Sequence, residues 1–119
     1  MNIHEQQKDT LVILQPQVTR VEASNAQNLK NRLIDCISRG KSRIALDLGY
    51  VDFMDSSGLA ALLSALKSLG KNGKIALFGV SDKVRKLFSI TRLDNGVFII
   101  TETEEEAVKA LEQSSASYD

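Results

Sequence analysis

Short apolar runs alternate with stretches of helical spacing along this chain. Four runs rich in aliphatic and β-branched residues predict strands: Thr10–Leu14, Arg43–Leu48, Lys74–Phe78 and Val97–Ile100. The second and third runs are nearly unbroken, which is typical of parallel strands covered on both faces, so we expect them to lie centrally. The polar stretch Asn2–Gln7 can pair with the first run as an antiparallel edge strand.

Helices are predicted between these strands. The first has apolar residues three or four apart from Ala26 to Ile37, with Ser24 or Asn25 as its N-cap and Gly40 as its stop. The second begins after Asp55 and carries one leucine stripe. The stripe consists of Leu59, Leu62, Leu63, Leu66 and Leu69.

Two more helices complete the pattern. One contains Val84, Leu87 and Phe88, and the last spans Thr103–Leu111 with a capping box formed by its first residue and Glu106. The resulting fold class is α/β, with a mixed central sheet of four to five strands, an N-terminal antiparallel hairpin and helices packed mainly on one face. We expect one domain over residues 1–112 and a flexible tail over residues 113–119.

Length and charge limit the function. The chain of 119 residues has the size of a single domain, and its 15 basic and 15 acidic residues give a net charge of zero. Because no basic stripe is present, we do not expect nucleic acid as a ligand. No apolar run is long enough for direct membrane insertion. A single cysteine and a start without a secretion signal favour the cytoplasm.

Few residues offer catalytic or metal chemistry. His4 is the one histidine and has no partner for a zinc site, and Cys36 falls on the first helix among isoleucines, where a small buried apolar residue is expected. The glycines form neither a dinucleotide-binding motif nor a phosphate loop. We therefore predict no metal, no cofactor and no enzymatic activity of its own.

The candidate site is the polar stretch from Asp47 to Leu59, which follows a buried strand and leads into the second helix. Its acids could suggest an aspartate phosphoacceptor, but Gln15-Pro16 stands where the first internal strand would need an acidic pair. Asp55 is placed to cap the helix. Ser56 then occupies the first helical position, and its hydroxyl is either a second cap or a group that a modifying enzyme can reach.

A phosphate on Ser56 changes the surface more than the fold. It adds roughly 1.5 to 2 negative charges, which a helix N-terminus tolerates. Opposite an acidic partner group at about 4 Å, a like charge costs up to roughly 4 kcal/mol at an effective dielectric near 20 before salt screening. Such a penalty is large enough to abolish a micromolar interface.

The block Val51-Asp52-Phe53-Met54-Asp55-Ser56-Ser57-Gly58-Leu59 followed by the leucine-rich helix resembles the STAS domain, in particular the single-domain anti-sigma-factor antagonists of bacteria. The later segments Val84–Phe88, Val97–Ile100 and Glu105–Leu111 are similar to further blocks of that family. The resemblance covers roughly residues 10 to 112.

The resemblance implies a phosphorylation switch centred on Ser56. The partner is an anti-sigma factor that is also an ATP-dependent serine kinase. It binds the unphosphorylated antagonist and so releases its target, and a serine phosphatase resets the cycle. We expect Asp55, Ser56, Ser57 and Gly58 to line the contact, with Gly58 allowing close backbone approach or serving only as a permissive helical residue.

Two alternatives remain at this point. The chain could be a constitutive accessory subunit of a membrane transport or lipid-transport complex, although relatives of that kind often lack the phosphoacceptor serine. It could also be a nucleotide hydrolase, but no motif in the sequence supports that activity. Two departures from the family pattern bear on the partner: the longer loop from Pro16 to Glu22, with Glu22 in the acidic position expected at the partner surface, and Arg92 in place of a glycine.

Overall fold

A computed structural model describes residues 1–114, which form a mixed α/β fold. The strands are β1 (Ile3–Lys8), β2 (Leu11–Pro16), β3 (Arg20–Val21), β4 (Arg43–Asp47), β5 (Phe53–Met54), β6 (Lys74–Phe78) and β7 (Ile99–Ile100). The helices are α1 (Ala26–Ser38), α2 (Ser56–Leu69), α3 (Asp82–Ile90) and α4 (Glu104–Ser114).

Five strands form the main sheet in the order β1-β2-β4-β6-β7. β1 runs antiparallel to β2, and the remaining neighbours are parallel. The predicted fold class, the N-terminal hairpin and the inner positions of β4 and β6 are confirmed. The order also places the carboxyl ends of β2, β4 and β6 along one edge, from which the chain enters the segments leading to the helices.

The last strand is shorter than the predicted run Val97–Ile100. The backbone N–H of Phe98 donates to the carbonyl of Leu93 at 3.0 Å and is thus unavailable to the sheet. The Phe98 ring is buried and meets Phe88 of α3 edge-on, with 5.6 Å between ring centroids. This residue therefore closes the core beneath α3, and the sheet pairing begins at Ile99.

The two faces of the sheet carry different helices. Residues from α1, α2 and α3 pack with one set of strand side chains, and this cluster includes Val12, Leu14, Leu29, Leu33, Ile44, Leu46, Leu62, Ile75, Leu77, Val84 and Phe88. The opposite face is covered by α4, and its cluster comprises Leu11, Ile13, Ala45, Ala76, Phe78, Ala107 and Leu111. Within residues 1–114, three of the four helices thus share one face of the sheet.

The predicted leucine stripe of α2 is wrong at one position. Leu63 is 39% exposed, whereas Ala61 and Ala65 are buried. The buried side of α2 is therefore turned toward its small residues, because α2 packs against α1 as well as against the sheet. Small side chains at such a contact let two helices approach closely.

Helix ends agree with the sequence in part. The capping box of α4 is confirmed, since the N–H of Glu106 donates to Thr103 Oγ1 at 3.2 Å and the N–H of Thr103 donates to Glu106 Oε1 at 3.3 Å. Asn25 occupies the N-cap position of α1, but its side chain caps no α1 N–H.

α4 extends to Ser114, so it includes the first two residues of the predicted tail, and residues 115–119 lie outside the described part of the chain. No helix within residues 1–114 has the length and apolar character needed to cross a membrane.

Candidate functional site

The site is built on the first turn of α2. Asp55 has an extended backbone and stands at the N-cap, where its Oδ1 atom accepts hydrogen bonds from the N–H groups of Ser57 at 2.8 Å and Gly58 at 3.3 Å. The Gly58 N–H also donates to the backbone carbonyl of Asp55 at 3.1 Å, so the N-cap residue supplies the acceptors for both of these N–H groups. The predicted capping role of Asp55 is therefore confirmed.

Ser56 is the first residue of α2 and is exposed. Its hydroxyl makes no hydrogen bond to another residue of the described chain, and Asp55 Oδ1 is the side-chain acceptor for the neighbouring N–H groups. An exposed hydroxyl that does not support the helix is chemically free to be modified. This geometry removes the alternative in which Ser56 serves as a second helix cap.

Ser57 and Gly58 are both less exposed to solvent than Ser56. Ser57 is half-buried and lines an open groove of about 290 Å³ between α1 and α2, together with Lys30 and several small residues. Gly58 is buried, and a Cβ atom there would lie 2.5 Å from Met54 Cγ and 3.0 Å from Val21 Cγ1. The immediate role of Gly58 is thus close packing of α2, and its contact with a partner stays a prediction.

Strands β3 and β5 form a two-stranded parallel ribbon that packs against the first turn of α2. Arg20 lies opposite Phe53, and Val21 lies opposite Met54. The ribbon continues toward the site, since the N–H of Asp55 donates to the carbonyl of Val21 at 3.2 Å. The predicted long loop from Pro16 to Glu22 therefore contains a short strand that is tied to the residues immediately before Ser56.

The outer side of the ribbon carries Glu22, Arg20 and Phe53. Arg20 Nε donates to Glu22 Oε1 at 3.3 Å, and the Arg20 guanidinium carbon stands 4.1 Å from the centroid of the Phe53 ring. Sequence reasoning placed Glu22 at the partner surface but missed the other two residues. The one available signal was the matched spacing in Arg20-Val21-Glu22 and Phe53-Met54-Asp55, where polar or aromatic residues flank a buried apolar one.

The other acids of the predicted stretch have separate tasks. Asp47 accepts hydrogen bonds from Gln15 Nε2 at 2.9 Å and from the N–H of Gly49 at 2.8 Å, so it shapes the turn after β4. Asp52 is exposed, and its N–H donates to the carbonyl of Thr19 at 2.7 Å. Within residues 1–114, no three His, Cys, Asp or Glu side chains are arranged to hold a metal ion.

A second polar cluster lies elsewhere, between β1 and α1. Glu5 accepts from Arg32 at 3.4 Å and from Arg39 at 3.1 Å. Burial alone raises the pKa of Glu5, but hydrogen bonds from Gln7 and Arg39 and the charges of both arginines outweigh it, so that pKa is lowered. The adjacent Cys36 is fully buried, as predicted, and burial followed by the charge of Glu5 raises its thiol pKa.

Comparison with known proteins adds to this geometry. The family model for the STAS domain matches residues 2–107. A crystal structure of a Thermotoga maritima protein, provisionally described as an anti-sigma factor antagonist, superposes with a TM-score of 0.84 at 30% identity, covering 92% of this chain and 94% of that one.

Two curated relatives are similar over shorter stretches. The anti-sigma-B factor antagonist of Staphylococcus epidermidis is 33% identical over 79 residues, which cover 66% of this chain and 73% of that protein. A Bordetella bronchiseptica protein, provisionally named the anti-sigma factor antagonist BtrV, is 33% identical over 72 residues. That match covers 60% of this chain and 62% of the length of the relative.

Proposed function

Because this chain belongs to the STAS domain family, we propose that it acts as an anti-sigma-factor antagonist whose binding is controlled at Ser56. The observation that carries the proposal is the exposed Ser56 hydroxyl on the first turn of α2, next to an N-cap that Asp55 already satisfies. The names of the two relatives support the general function. The chain serves here as a binding module and as the substrate of other enzymes.

The unphosphorylated form binds an anti-sigma factor, which thereby releases its target. Asp55, Ser56 and Ser57 provide the centre of the contact on the α2 side, and Glu22 provides its margin. Asp55 keeps the helix start rigid, so little ordering is needed when the partner docks. We also assign Gly58 to this contact, through backbone atoms on the side of α2 away from Met54 and Val21, the two residues that an added Cβ would meet.

Phosphorylation ends the interaction by charge. The same anti-sigma factor, acting as an ATP-dependent serine kinase, transfers the γ-phosphoryl group to Ser56 Oγ, with loss of the hydroxyl proton and release of ADP. The new phosphate stands beside Asp55 and in the same segment as the exposed Asp52, so the surface becomes strongly negative. An acidic group of the partner is then repelled, whereas the helix dipole accommodates the phosphate.

A serine phosphatase restores the binding form. It hydrolyses the phosphoester with one water molecule, which returns the Ser56 hydroxyl and releases inorganic phosphate. The exposure of Ser56 supports this step, because a phosphatase must reach the same oxygen as the kinase. Neither reaction requires a side chain of this protein to act as a catalyst.

Paired baits test the proposal. Ser56→Ala and Ser56→Asp proteins are used to capture partners from the source cell's lysate, and bound proteins are identified by mass spectrometry. Ser68→Asp is the matched control, since Ser68 is an exposed serine near the other end of the same helix. We expect the Ala bait and the Ser68→Asp bait to capture a kinase-like ATPase that the Ser56→Asp bait fails to capture.

Purified components then test the chemistry. The captured ATPase should phosphorylate the wild-type chain at Ser56 and leave Ser56→Ala unmodified, as read by phosphopeptide mapping. Capture of the same transport proteins by both Ser56 baits contradicts the switch and favours an accessory subunit. Phosphate found only on other residues contradicts the role of Ser56.

A further inference from the structure

The Glu22 carboxylate is held in one orientation by a neighbouring arginine. Its Oε1 atom accepts from Arg20 Nε at 3.3 Å, whereas Oε2 accepts no hydrogen bond from any residue of the described chain. The Arg20 guanidinium is in turn stacked on Phe53, with 4.1 Å from its central carbon to the ring centroid. One face of the arginine is thus covered, and its Nε edge is directed at Glu22.

The backbone that carries this pair is fixed as well. Asn25 Oδ1 accepts from the N–H of Glu22 at 2.9 Å, and Asn25 Nδ2 donates to the carbonyl of Arg20 at 2.9 Å. The carbonyl of Glu22 also accepts from the N–H of Ala26 at 2.8 Å, at the start of α1. The Asn25 side chain therefore forms hydrogen bonds with the backbone at both ends of the segment from Arg20 to Glu22. Because its amide group is used there, Asn25 caps no N–H of α1.

This segment shares a surface with Ser56. Val21 and Met54 are buried beneath the ribbon, at 0% and 4% exposure, so their neighbours Arg20, Glu22 and Phe53 project to the other side. Successive side chains of a strand point to opposite faces. Asp55 follows Met54 and is bonded to Val21, which places the cap of α2 next to Glu22.

Building on the proposed function, we propose that Arg20 and Asn25 are positioning residues that present the Glu22 carboxylate to a cationic side chain of the same anti-sigma factor. The free Oε2 atom accepts a charge-assisted hydrogen bond from a partner lysine or arginine. Holding the acceptor in place beforehand lowers the ordering cost of binding. An exposed ion pair of this kind contributes chiefly to partner choice and association rate.

Arg20 acts through Glu22, and this distinguishes it from a residue that touches the partner itself. Removing the arginine frees the carboxylate to adopt several rotamers, which weakens the contact although the charge of Glu22 remains. Once Glu22 no longer carries a charge, loss of Arg20 has nothing further to disturb. The effects of the two substitutions are therefore expected to be non-additive.

The test is a double-mutant cycle in the Ser56→Ala background. The probe is the purified anti-sigma factor that binds Ser56→Ala and not Ser56→Asp, and its Kd is measured for Glu22→Gln, Arg20→Ala and the double variant. We expect each single variant to weaken binding by about threefold to tenfold, and the double variant to bind no more weakly than Glu22→Gln alone. Glu22→Gln should also reduce the salt dependence of Kd.

Two further variants control for structure. Arg85→Ala removes another arginine that forms an ion pair, with Glu102 at 2.9 Å, and should leave Kd unchanged. Arg20→Lys keeps the charge but loses the planar stack on Phe53, so its Kd should lie between those of the parent and Arg20→Ala. This variant also serves if Arg20→Ala fails to fold, as judged by thermal melting.

Three results overturn the inference. Additive losses or unchanged Kd values in the cycle, with Ser56 discrimination intact, show that Arg20 does not position Glu22. Tighter binding by Arg20→Ala shows that the arginine masks the carboxylate. If no anti-sigma factor discriminates between the two Ser56 variants, the proposed function fails and this inference falls with it.

Discussion

The backbone N–H of Ser57 donates a 2.8 Å hydrogen bond to Oδ1 of Asp55, and this bond joins the start of α2 to the segment that leads into it. The same oxygen accepts from Gly58 at 3.3 Å. The intervening Ser56 is left exposed, with its hydroxyl directed at no other described group. Stability of the helix and accessibility of the proposed phosphoacceptor thus depend on one carboxylate.

Asp55→Ala should lower the free energy of unfolding by about 1 kcal/mol, because the first turn of α2 loses its side-chain acceptor. Chemical denaturation measures the loss. Asp55→Asn keeps an acceptor oxygen and should retain most of the stability. A full loss of partner binding with no loss of stability contradicts the capping role.

A second cap separates stability from binding in that experiment. Ser81 Oγ accepts from the N–H of Val84 at 3.2 Å at the start of α3, a different helix from the one that carries Ser56. Ser81→Ala should cost about 1 kcal/mol as well. We expect it to leave partner binding intact, whereas Asp55→Ala weakens both.

The strongest sequence signals were those with a local physical cause. The nearly unbroken runs of β4 and β6 and the Asp55 cap could be predicted because apolar periodicity and capping act within a few residues. The β3–β5 ribbon could not, since an alternation of buried and exposed positions over only three residues in each segment is too short to predict a strand. The Arg20 contact with Phe53 joins two segments distant in the chain, and nothing in either segment alone indicates it.

Leu63 shows a related limit of hydrophobic patterning. A stripe that includes both Leu62 and Leu63 is wide enough to be rotated by one position, and leucine spacing alone does not fix the rotation. Packing against α1 selects the side that carries Ala61 and Ala65. Tertiary contact with a neighbouring helix therefore decided which leucine stayed at the surface.

Gly58→Ala should destabilise the protein by about 1–2 kcal/mol, although alanine favours helix formation by roughly 1 kcal/mol over glycine. The added methyl group lies 2.5 Å from Met54 Cγ and 3.0 Å from Val21 Cγ1, and valine cannot move aside easily. Thermal or urea unfolding shows whether Gly58→Ala raises or lowers the free energy of unfolding. A more stable variant would show that the helix preference outweighs the crowding.

Met54 provides the control for this prediction. In a Met54→Ala background the closest neighbour of the new methyl group is gone, so Gly58→Ala should cost less than in the parent. Equal costs in the two backgrounds would place the strain elsewhere. The four proteins form one double-mutant cycle that is read by denaturation alone.

Arg92→Gly should raise the free energy of unfolding by about 0.5 kcal/mol. Arg92 follows α3 with φ of 61°, and its N–H donates to the carbonyl of Ser89 at 3.0 Å, as in a helix end that favours glycine. Relief of left-handed strain of about 1–2 kcal/mol is partly offset by the greater freedom of glycine in the unfolded chain.

The same kind of substitution inside α3 should have the opposite sign. Lys86 is an exposed helical residue, and Lys86→Gly is expected to cost about 1 kcal/mol. Chemical denaturation of Arg92→Gly and Lys86→Gly under the same conditions measures the change in the free energy of unfolding for each variant. Loss of stability in both would mean that the Arg92 side chain contributes more than its backbone strain costs.

Glu5→Gln should remove a pH-dependent part of the stability. The pKa of Glu5 is lowered because hydrogen bonds from Gln7 and Arg39 and the charges of Arg39 and Arg32 outweigh the effect of burial. A carboxyl group with a lowered folded-state pKa stabilises the fold above its unfolded pKa, near 4.5, and loses this contribution as the pH falls through the folded value. Wild type should therefore exceed Glu5→Gln in stability at neutral pH, and the difference should shrink below about pH 4.5.

The groups that face Glu5 determine how this experiment is controlled. Arg32 and Arg39 approach it from α1, the Cys36 thiol lies 3.9 Å from Oε1, and Asp35 shares Arg39. The thiol stays protonated throughout the acidic range because its pKa is raised, so it adds no slope there. Glu102→Gln is the matched control, since it breaks an ion pair in which the carboxylate is 78% exposed and should change the free energy of unfolding little at neutral pH. A wild-type advantage that persists undiminished at acidic pH would mean that Glu5 stabilises the hairpin through packing and not through its charge.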